Sequence, residues 1–393
     1  MTKLSKYKFF ILALLVLSAS CSAKKTVPEQ KRATPLPAPA ARSTTSLNSV
    51  TDLPPPPKPP KTLSISTSTQ TTAKKTRADT NQTVPSNNCP NDYDCYKTYY
   101  ENLVKNFGVA QAFVELKTEY QTKTYVQSEC HAITHVIGQA AADLYDKVSE
   151  AYAQGDEFCA SGYYHGVMES IIYKMGRNDL PNQLNNLCAD IPGKERYSLG
   201  YYNCNHGLGH GLMGFTNNEL FESLKLCDKL NGQWEKSSCY SGGFMENVIA
   251  DFRNHFTKYL RPENPMYPCT DVDSQYKMPC YLIQSSYVLR LAGGDFKKVF
   301  EACEKIETDY RATCFQSLGR DASGTAVSDI NITKTRCDTG KDYFEQSNCV
   351  IGAVKDVVWH FHSLSDGENF CNALSADLQD ICNSTAKDYF ATF

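Results

Sequence analysis

Residues 303–314, CEKIETDYRATC, and residues 337–349, CDTGKDYFEQSNC, decide the fold of this chain. Each segment begins and ends with a cysteine, and a short polar stretch lies between the two. A run of apolar and charged residues leads into the first cysteine, as in residues 296–303, and a second helical pattern starts at the second cysteine. These segments therefore predict helix pairs in which a disulfide bond joins the end of one helix to the start of the next.

The same arrangement recurs along the C-terminal half of the chain. Five cysteine pairs are separated by 11 or 12 residues, and the first members of successive pairs lie 42, 34, 34 and 34 residues apart. A step of about 34 residues is the length of one helix-turn-helix unit in a helical-repeat array. Because isolated hairpins of this size are marginal, stacking and cross-links must stabilise them. The sequence predicts an all-α, disulfide-stapled, solenoid-like repeat domain.

The chain has 17 cysteines, of which Cys21 belongs to an N-terminal segment with the pattern of a signal peptide. The other sixteen are an even number, and in an exported protein they predict eight disulfide bonds. The simplest pairing joins neighbours: Cys89–Cys95, Cys130–Cys159, Cys188–Cys204, Cys227–Cys239, Cys269–Cys280, Cys303–Cys314, Cys337–Cys349 and Cys371–Cys382. An exchange among the first four of these cysteines stays open at this point. With all sixteen paired, no thiol nucleophile remains.

The N-terminus has the pattern of a signal peptide. Lysines 3, 6 and 8 precede an apolar run over residues 9–17, which is too short to span a bilayer. Residues 17–21, LSASC, resemble the lipobox of bacterial lipoproteins, although Ser18 stands where that motif prefers Leu. The resemblance implies that residues 1–21 form a lipoprotein signal peptide, that cleavage occurs at Cys21, and that this cysteine is lipidated and becomes the first residue. The protein would then be attached to a membrane and face the periplasm or the cell exterior. An ordinary cleaved secretory signal is the alternative.

Residues 22–88 have the composition of a disordered linker. Residues 24–88 contain 11 of the 18 prolines and no aromatic residue, cysteine or histidine. Such a segment cannot bury enough apolar surface to offset the entropy of ordering it. It carries ten Lys/Arg against three Asp/Glu, whereas residues 89–393 carry 27 against 40. A basic tether suits an anionic membrane or cell-wall surface, and the acidic domain argues against nucleic acid as a partner.

The domain over residues 89–393 divides into histidine-rich units over 130–215 and regular repeats of about 34 residues over 227–393. The period and the cysteine placement resemble Sel1-like and tetratricopeptide repeat proteins, in particular cysteine-rich Sel1-like proteins with one disulfide bond in each repeat. The glycine and alanine signatures of those families are not clearly present. The resemblance implies an α-solenoid whose surface binds an envelope protein or a peptide, a function that rests on fold analogy.

Five of the eight histidines follow the cysteines at positions 130, 159 and 204, in the segments CHAITH (130–135), CASGYYHGVME (159–169) and CNHGLGHGLM (204–213). Side chains four residues apart on a helix share one face. The i, i+4 pairs are His131 and His135, His165 and Glu169, and His206 and His210. The sequence therefore predicts that three adjacent helices bring five imidazoles and a carboxylate to one groove, which Glu246 of the next unit closes.

Imidazole and carboxylate groups at helical spacing are typical of transition-metal centres in helical proteins. The predicted ligands are His131, His135, His165, Glu169, His206 and His210, and the predicted cofactor is copper, iron or zinc. Met168 and Met213 add a thioether option that favours copper, although buried methionines more often fill a core. In an enzyme the metal would supply the chemistry, with Glu169 or Glu246 as ligand or base. The alternative is that these histidines pack between helices and donate to backbone carbonyls.

Other motifs limit the remaining functions. The chain lacks C-x-x-C-H, C-x-x-C, H-E-x-x-H, a P-loop, G-x-S-x-G and a full EF-hand loop, which argues against covalent haem, a thioredoxin-type pair and several enzyme classes. His255, His360 and His362 are expected to be structural. Two alternatives to the metal protein stay open: a partner-binding scaffold with structural histidines, and non-covalent binding of haem by a histidine pair.

Overall fold

The computed structural model describes residues 84–145, 147–156, 158–159, 161–249, 257–326 and 329–393. The predicted signal peptide, the predicted lipidation site Cys21 and nearly all of the predicted linker over 22–88 lie outside these residues. The described residues are all-α, as predicted. Their α-helices are α1 Tyr93–Phe107, α2 Val109–Tyr120, α3 Thr124–Ala141, α4 Val148–Tyr152, α5 Gly162–Leu187, α6 Leu199–Phe215, α7 Leu220–Cys227, α8 Gln233–Ile249, α9 Ser274–Leu291, α10 Phe296–Cys303, α11 Thr308–Gly324, α12 Ile330–Cys337, α13 Tyr343–Phe361, α14 Leu364–Asn372 and α15 Ala376–Phe390.

Long and short helices alternate through most of the domain. The long helices pack side by side in the order α1, α3, α5, α6, α8, α9, α11, α13 and α15. The short helices α2, α7, α10, α12 and α14 each pack against the two long helices beside them. Aspartate and serine side chains begin several of the helices, and Asp295, Asp329 and Ser363 each accept a backbone N–H of the first turn. The fold is a continuous array of helical hairpins.

Disulfide bonds join the eight cysteine pairs that are neighbours along the chain. Their Cα–Cα distances are 5.4–5.8 Å, within the ordinary range for a disulfide. In four of the five regular repeats the first cysteine lies in the last turn of a short helix, as Cys303 does in α10, whereas Cys269 lies in a turn. In all five the second cysteine lies in the first half of the next long helix, as Cys314 does in α11. The disulfides therefore hold each hairpin closed.

The core runs through the whole array and contains most of the paired cysteines together with many aromatic residues, among them Tyr100, Tyr163, Phe244 and Phe315. The start of α6 also contacts the segment after α15, where the amide of Leu199 donates to the carbonyl of Thr392. In the part of the chain that the structure describes, no helix is both long enough and apolar enough to cross a bilayer.

Candidate metal centre

Helix α3 places His131 and His135 on one face, one turn apart. Their Nε2 atoms face each other at 3.1 Å. The Nδ1 atom of His131 lies 2.9 Å from the carbonyl oxygen of Cys159, and because a carbonyl only accepts, this Nδ1 carries the proton. The Nδ1 atom of His135 faces the carboxylate of Glu169 on α5 at 3.4 Å, and Gln139 donates to that carboxylate at 3.0 Å.

Helix α6 repeats this arrangement with His206 and His210, whose Nε2 atoms also lie 3.1 Å apart. The Nδ1 atom of His210 donates to the carboxylate of Glu246 on α8 at 2.7 Å. The Nδ1 atom of His206 lies 2.9 Å from Oγ of Ser241, whose own hydrogen points at the carbonyl oxygen of Ser238. Ser241 therefore accepts from His206, and both histidines of this pair carry their proton on Nδ1. In their neutral forms, two Nε2 lone pairs face each other.

His165 of α5 lies between the two pairs. Its ring stacks on that of His210 with centroids 3.9 Å apart, and it stands 5.3–5.5 Å from the rings of His131, His135 and His206. The side chain is buried, with 2% of its surface exposed. Among the residues that the structure describes, none offers a hydrogen-bond partner to its buried Nδ1 atom.

Glycines allow the helices to approach closely at these histidines. A Cβ atom on Gly166 of α5 would collide with the carbonyl of His135, and one on Gly242 of α8 would collide with the carbonyl of His206. Both contacts put backbone against backbone, so neither can be relieved by a side chain that moves aside. The glycines therefore set the distance across which Glu169 and Glu246 reach the histidines.

Burial and charge decide which imidazoles stay neutral. Burial, together with the neighbouring His135, lowers the pKa of His131 to about 4. Burial and the neighbouring His210 hold the pKa values of His165 and His206 well below the usual range. Burial also opposes a charge on His135, but the carboxylate of Glu169 outweighs it and raises the pKa of that imidazole. Neutral imidazole is the form that binds metals.

Two sets of three histidines have the proximity of metal ligands. One set is His131, His135 and His165, the other is His165, His206 and His210, and within each set one nitrogen per residue lies within 4.8 Å of the others. Two nitrogens that share an ion at about 2.0–2.1 Å lie about 3.3 Å apart in tetrahedral geometry. The 3.1 Å between paired Nε2 atoms is close to that value. Each set can therefore hold a transition-metal ion.

A cleft of about 1200 Å³ leads to one side of the cluster. His131, His135, Glu169 and Glu246 line it, whereas the other three histidines do not. Acidic and aromatic side chains form much of the remaining wall, namely Glu101, Glu129, Asp143, Tyr93, Tyr125, Tyr173 and Phe215. The negative charge of the wall favours entry of cations. Solvent in the cleft reaches the set that contains His131 and His135, but not the set that contains His206 and His210. We call them the outer set (His131, His135, His165) and the inner set (His165, His206, His210).

The structure brings together every residue that the sequence predicted for the metal site. Within the cluster Glu169 and Glu246 contact Nδ1 atoms, on the side of each ring away from the paired Nε2 atoms. In this arrangement the carboxylates orient the imidazoles, as carboxylates commonly do next to metal-bound histidines. The two methionines, Met168 and Met213, are buried in the core.

Sequence reasoning missed three polar residues that contact the cluster: Gln139, Tyr202 and Ser241. Tyr202 approaches Nδ1 of His206 at 3.2 Å and Ser241 at 3.3 Å. Gln139 and Tyr202 each lie four residues from a histidine of the cluster, so the i, i+4 rule contained a signal for both. Of the remaining histidines, His360 is exposed near the end of α13, His362 contacts Phe393, and His255 lies outside the described residues.

A second helix pair in the chain has the same frame without the histidines. Adding 110 to the residue numbers of α6 and α8 gives the matching positions in α11 and α13. This offset aligns the cysteine of each helix. It also aligns the glycines at which the two helices of a pair touch, which are Gly319 in α11 and Gly352 in α13. At the positions of His206 and His210 this pair has Gln316 and Arg320, and Asp356 stands at the position of Glu246. The frame therefore does not require histidine, which argues against a purely structural role for the cluster.

Fold and site together define an all-helical, disulfide-stapled array with a cluster of five histidines, of which His165, His206 and His210 are buried. No family model matches this chain, and neither does any curated protein or solved structure. The function is therefore argued from the site itself.

Proposed function

We propose that this protein binds a transition metal, with zinc, copper and iron as the candidates, through its five-histidine cluster. The main support comes from His206 and His210 of the inner set. Their Nε2 lone pairs face each other across 3.1 Å, because hydrogen bonds hold both ring protons on Nδ1. Two facing lone pairs repel in a buried site, and a cation between them turns that repulsion into coordination.

Metal analysis of protein purified without an affinity tag tests this proposal. We expect a stoichiometric transition metal in the wild-type protein and a large loss of that metal in the double variant His206→Ala/His210→Ala. The matched control is His360→Ala, which removes an exposed histidine outside the cluster. Wild-type protein without metal, or equal metal in both variants, would show that the proposal is wrong.

A second candidate function is metal-dependent catalysis. It is supported by the cleft, which gives a small molecule or peptide segment a route to the outer set and to two carboxylates. Activity that depends on the added metal and disappears in His131→Ala/His135→Ala would support an enzyme. A metal-loaded protein that turns over no substrate in a broad hydrolase and oxidase screen would favour a carrier.

Non-covalent haem is less well supported. Two axial nitrogens on opposite sides of one iron would lie about 4 Å apart, with the porphyrin ring between them. The paired Nε2 atoms are only 3.1 Å apart and belong to residues one turn apart on a single helix. A visible absorption spectrum of the purified protein distinguishes the two cofactors.

We propose that the cluster works in the cell envelope, at the end of a tether that starts at lipidated Cys21. The proposal is supported by the lipobox-like residues 17–21 and by the composition of residues 24–88. Incorporation of a labelled fatty acid into wild-type protein, but not into Cys21→Ser, is the expected result. The solenoid-like array also has surfaces that suit an envelope protein or peptide. A partner recovered from native envelope equally by wild-type protein and by the His206→Ala/His210→Ala variant would favour the scaffold.

A further inference from the structure

His165 differs from the other histidines of the cluster in its hydrogen bonding. Each of the other four has its Nδ1 atom next to an oxygen of Cys159, Glu169, Ser241 or Glu246. His165 is as buried as His206 and His210, yet its Nδ1 atom has no such partner in the described part of the chain. A buried polar atom without a hydrogen-bond partner lowers the stability of the fold. The Nδ1 atom of His165 is therefore the one ring nitrogen of this kind that is available to a ligand.

His165 is also the one residue that belongs to both histidine sets. Each set supplies a closely spaced Nε2 pair from a single helix, α3 for the outer set and α6 for the inner set. A tetrahedral or trigonal ion needs at least one further ligand beyond such a pair. A single imidazole can serve both ions only if it uses one ring nitrogen for each, and then neither nitrogen is available for a hydrogen bond.

We propose that the cluster is a two-metal centre in which the imidazole of His165 bridges the outer and inner ions. This inference rests on the proposed metal binding and goes beyond it in stoichiometry and ligand mode. When the second ion binds, the ring N–H bond of His165 breaks, the proton leaves to solvent and the nitrogen lone pair forms the new metal bond. No electron is transferred. The inner ion is enclosed, and the outer ion faces the cleft.

Copper(II) titration of the apoprotein followed by electron paramagnetic resonance tests the bridge. Two copper(II) ions joined by an imidazolate couple magnetically, so we expect two ions bound per chain with far less resonance intensity than two isolated spins give. In His165→Gln, which keeps similar side-chain volume without an imidazole, the residual copper should give full intensity per ion bound. His360→Gln is the matched control and should behave as the wild-type protein does.

The double variants His131→Ala/His135→Ala and His206→Ala/His210→Ala should each bind one copper ion with full intensity per ion. They keep the proposal testable if His165→Gln fails to fold. Two uncoupled ions, or a single ion, in the wild-type protein would overturn the bridge and leave metal binding intact. No bound copper at all would remove the proposed function as well.

Discussion

At the scale of single residues, the position of each ring proton matters most in the cluster. Carbonyl, carboxylate and hydroxyl oxygens hold protons on Nδ1 of His131, His206 and His210, so the Nε2 atoms present lone pairs. The sequence predicted which residues meet, because i, i+4 spacing is a local property of a helix. It did not predict that Glu169 and Glu246 face Nδ1 atoms, because that depends on how α5 and α8 pack against α3 and α6.

Ser241→Ala should weaken metal binding without unfolding the protein. Loss of the hydroxyl leaves Nδ1 of His206 only the more distant hydroxyl of Tyr202, at 3.2 Å. Because that hydroxyl can donate as well as accept, the ring can take the tautomer that protonates Nε2. Changes in such outer partners typically cost about 10–100-fold in metal affinity, and we expect a loss in that range. Competition titration with a chromophoric chelator measures it. Ser237→Ala on the same helix is the control, and equal affinities in the two variants would contradict this role of Ser241.

At the scale of the helices, two kinds of contact position the cluster. Glycines let the backbones of neighbouring helices touch, and disulfide bonds join the end of one helix to the next helix. The cysteine spacing predicted the hairpins because each disulfide closes a short segment of chain. The glycines after the cysteines were visible in the sequence as well, but their role was not, because a close approach involves two helices. The match between the α6–α8 and α11–α13 pairs became visible only when these contacts could be compared.

Gly209→Ala should destabilise the protein, whereas Gly214→Ala on the same helix should not. A Cβ atom on Gly209 would collide with the carbonyl of Cys239 and the backbone of Gly242 and Gly243, and overpacking of this kind typically costs about 1–3 kcal/mol. A Cβ atom on Gly214 meets no atom of the described residues within 4 Å. Because alanine favours helix, Gly214→Ala should be neutral or stabilising by up to about 1 kcal/mol. Thermal unfolding of both metal-free variants compares them directly.

The Cys130–Cys159 disulfide should matter for metal affinity as well as for stability. Cys159 has a positive φ of 59°, outside any helix, and its carbonyl accepts from Nδ1 of His131. Replacing both cysteines by Ala should free this loop and weaken the outer set. The control is Cys371→Ala/Cys382→Ala, which opens a disulfide of the last hairpin. Similar losses of metal affinity in both variants would mean that the effect is general destabilisation.

At the scale of the whole molecule, the chain combines an acidic helical array with a basic N-terminal segment. The spacing and period of the cysteines predicted the all-α class and the stapled repeats, because a period along the chain can be read without a structure. The sequence could predict that the histidines of three units lie on a shared face. It could not predict how the three units converge to form one cluster. The separation into an enclosed inner set and an outer set beside a cleft depends on packing among distant helices.

Reduction should lower the thermal stability of the domain strongly. Each closed loop contributes about 2–4 kcal/mol in the chain-entropy model, and the structure has eight disulfide bonds among the described residues. We expect a high melting temperature in oxidised protein and cooperative unfolding at a far lower temperature after treatment with a thiol reductant. A melting temperature that does not change once mass spectrometry confirms full reduction would contradict this account.

Anomalous X-ray diffraction at a metal absorption edge tests the central claim most directly, using crystals of untagged protein with its native metal or soaked with zinc. We expect an anomalous peak about 2.1 Å from Nε2 of both His206 and His210, and a further peak near His131 and His135 when both sets are filled. Peaks only at surface carboxylates, or none at all with the five histidines well ordered, would contradict it.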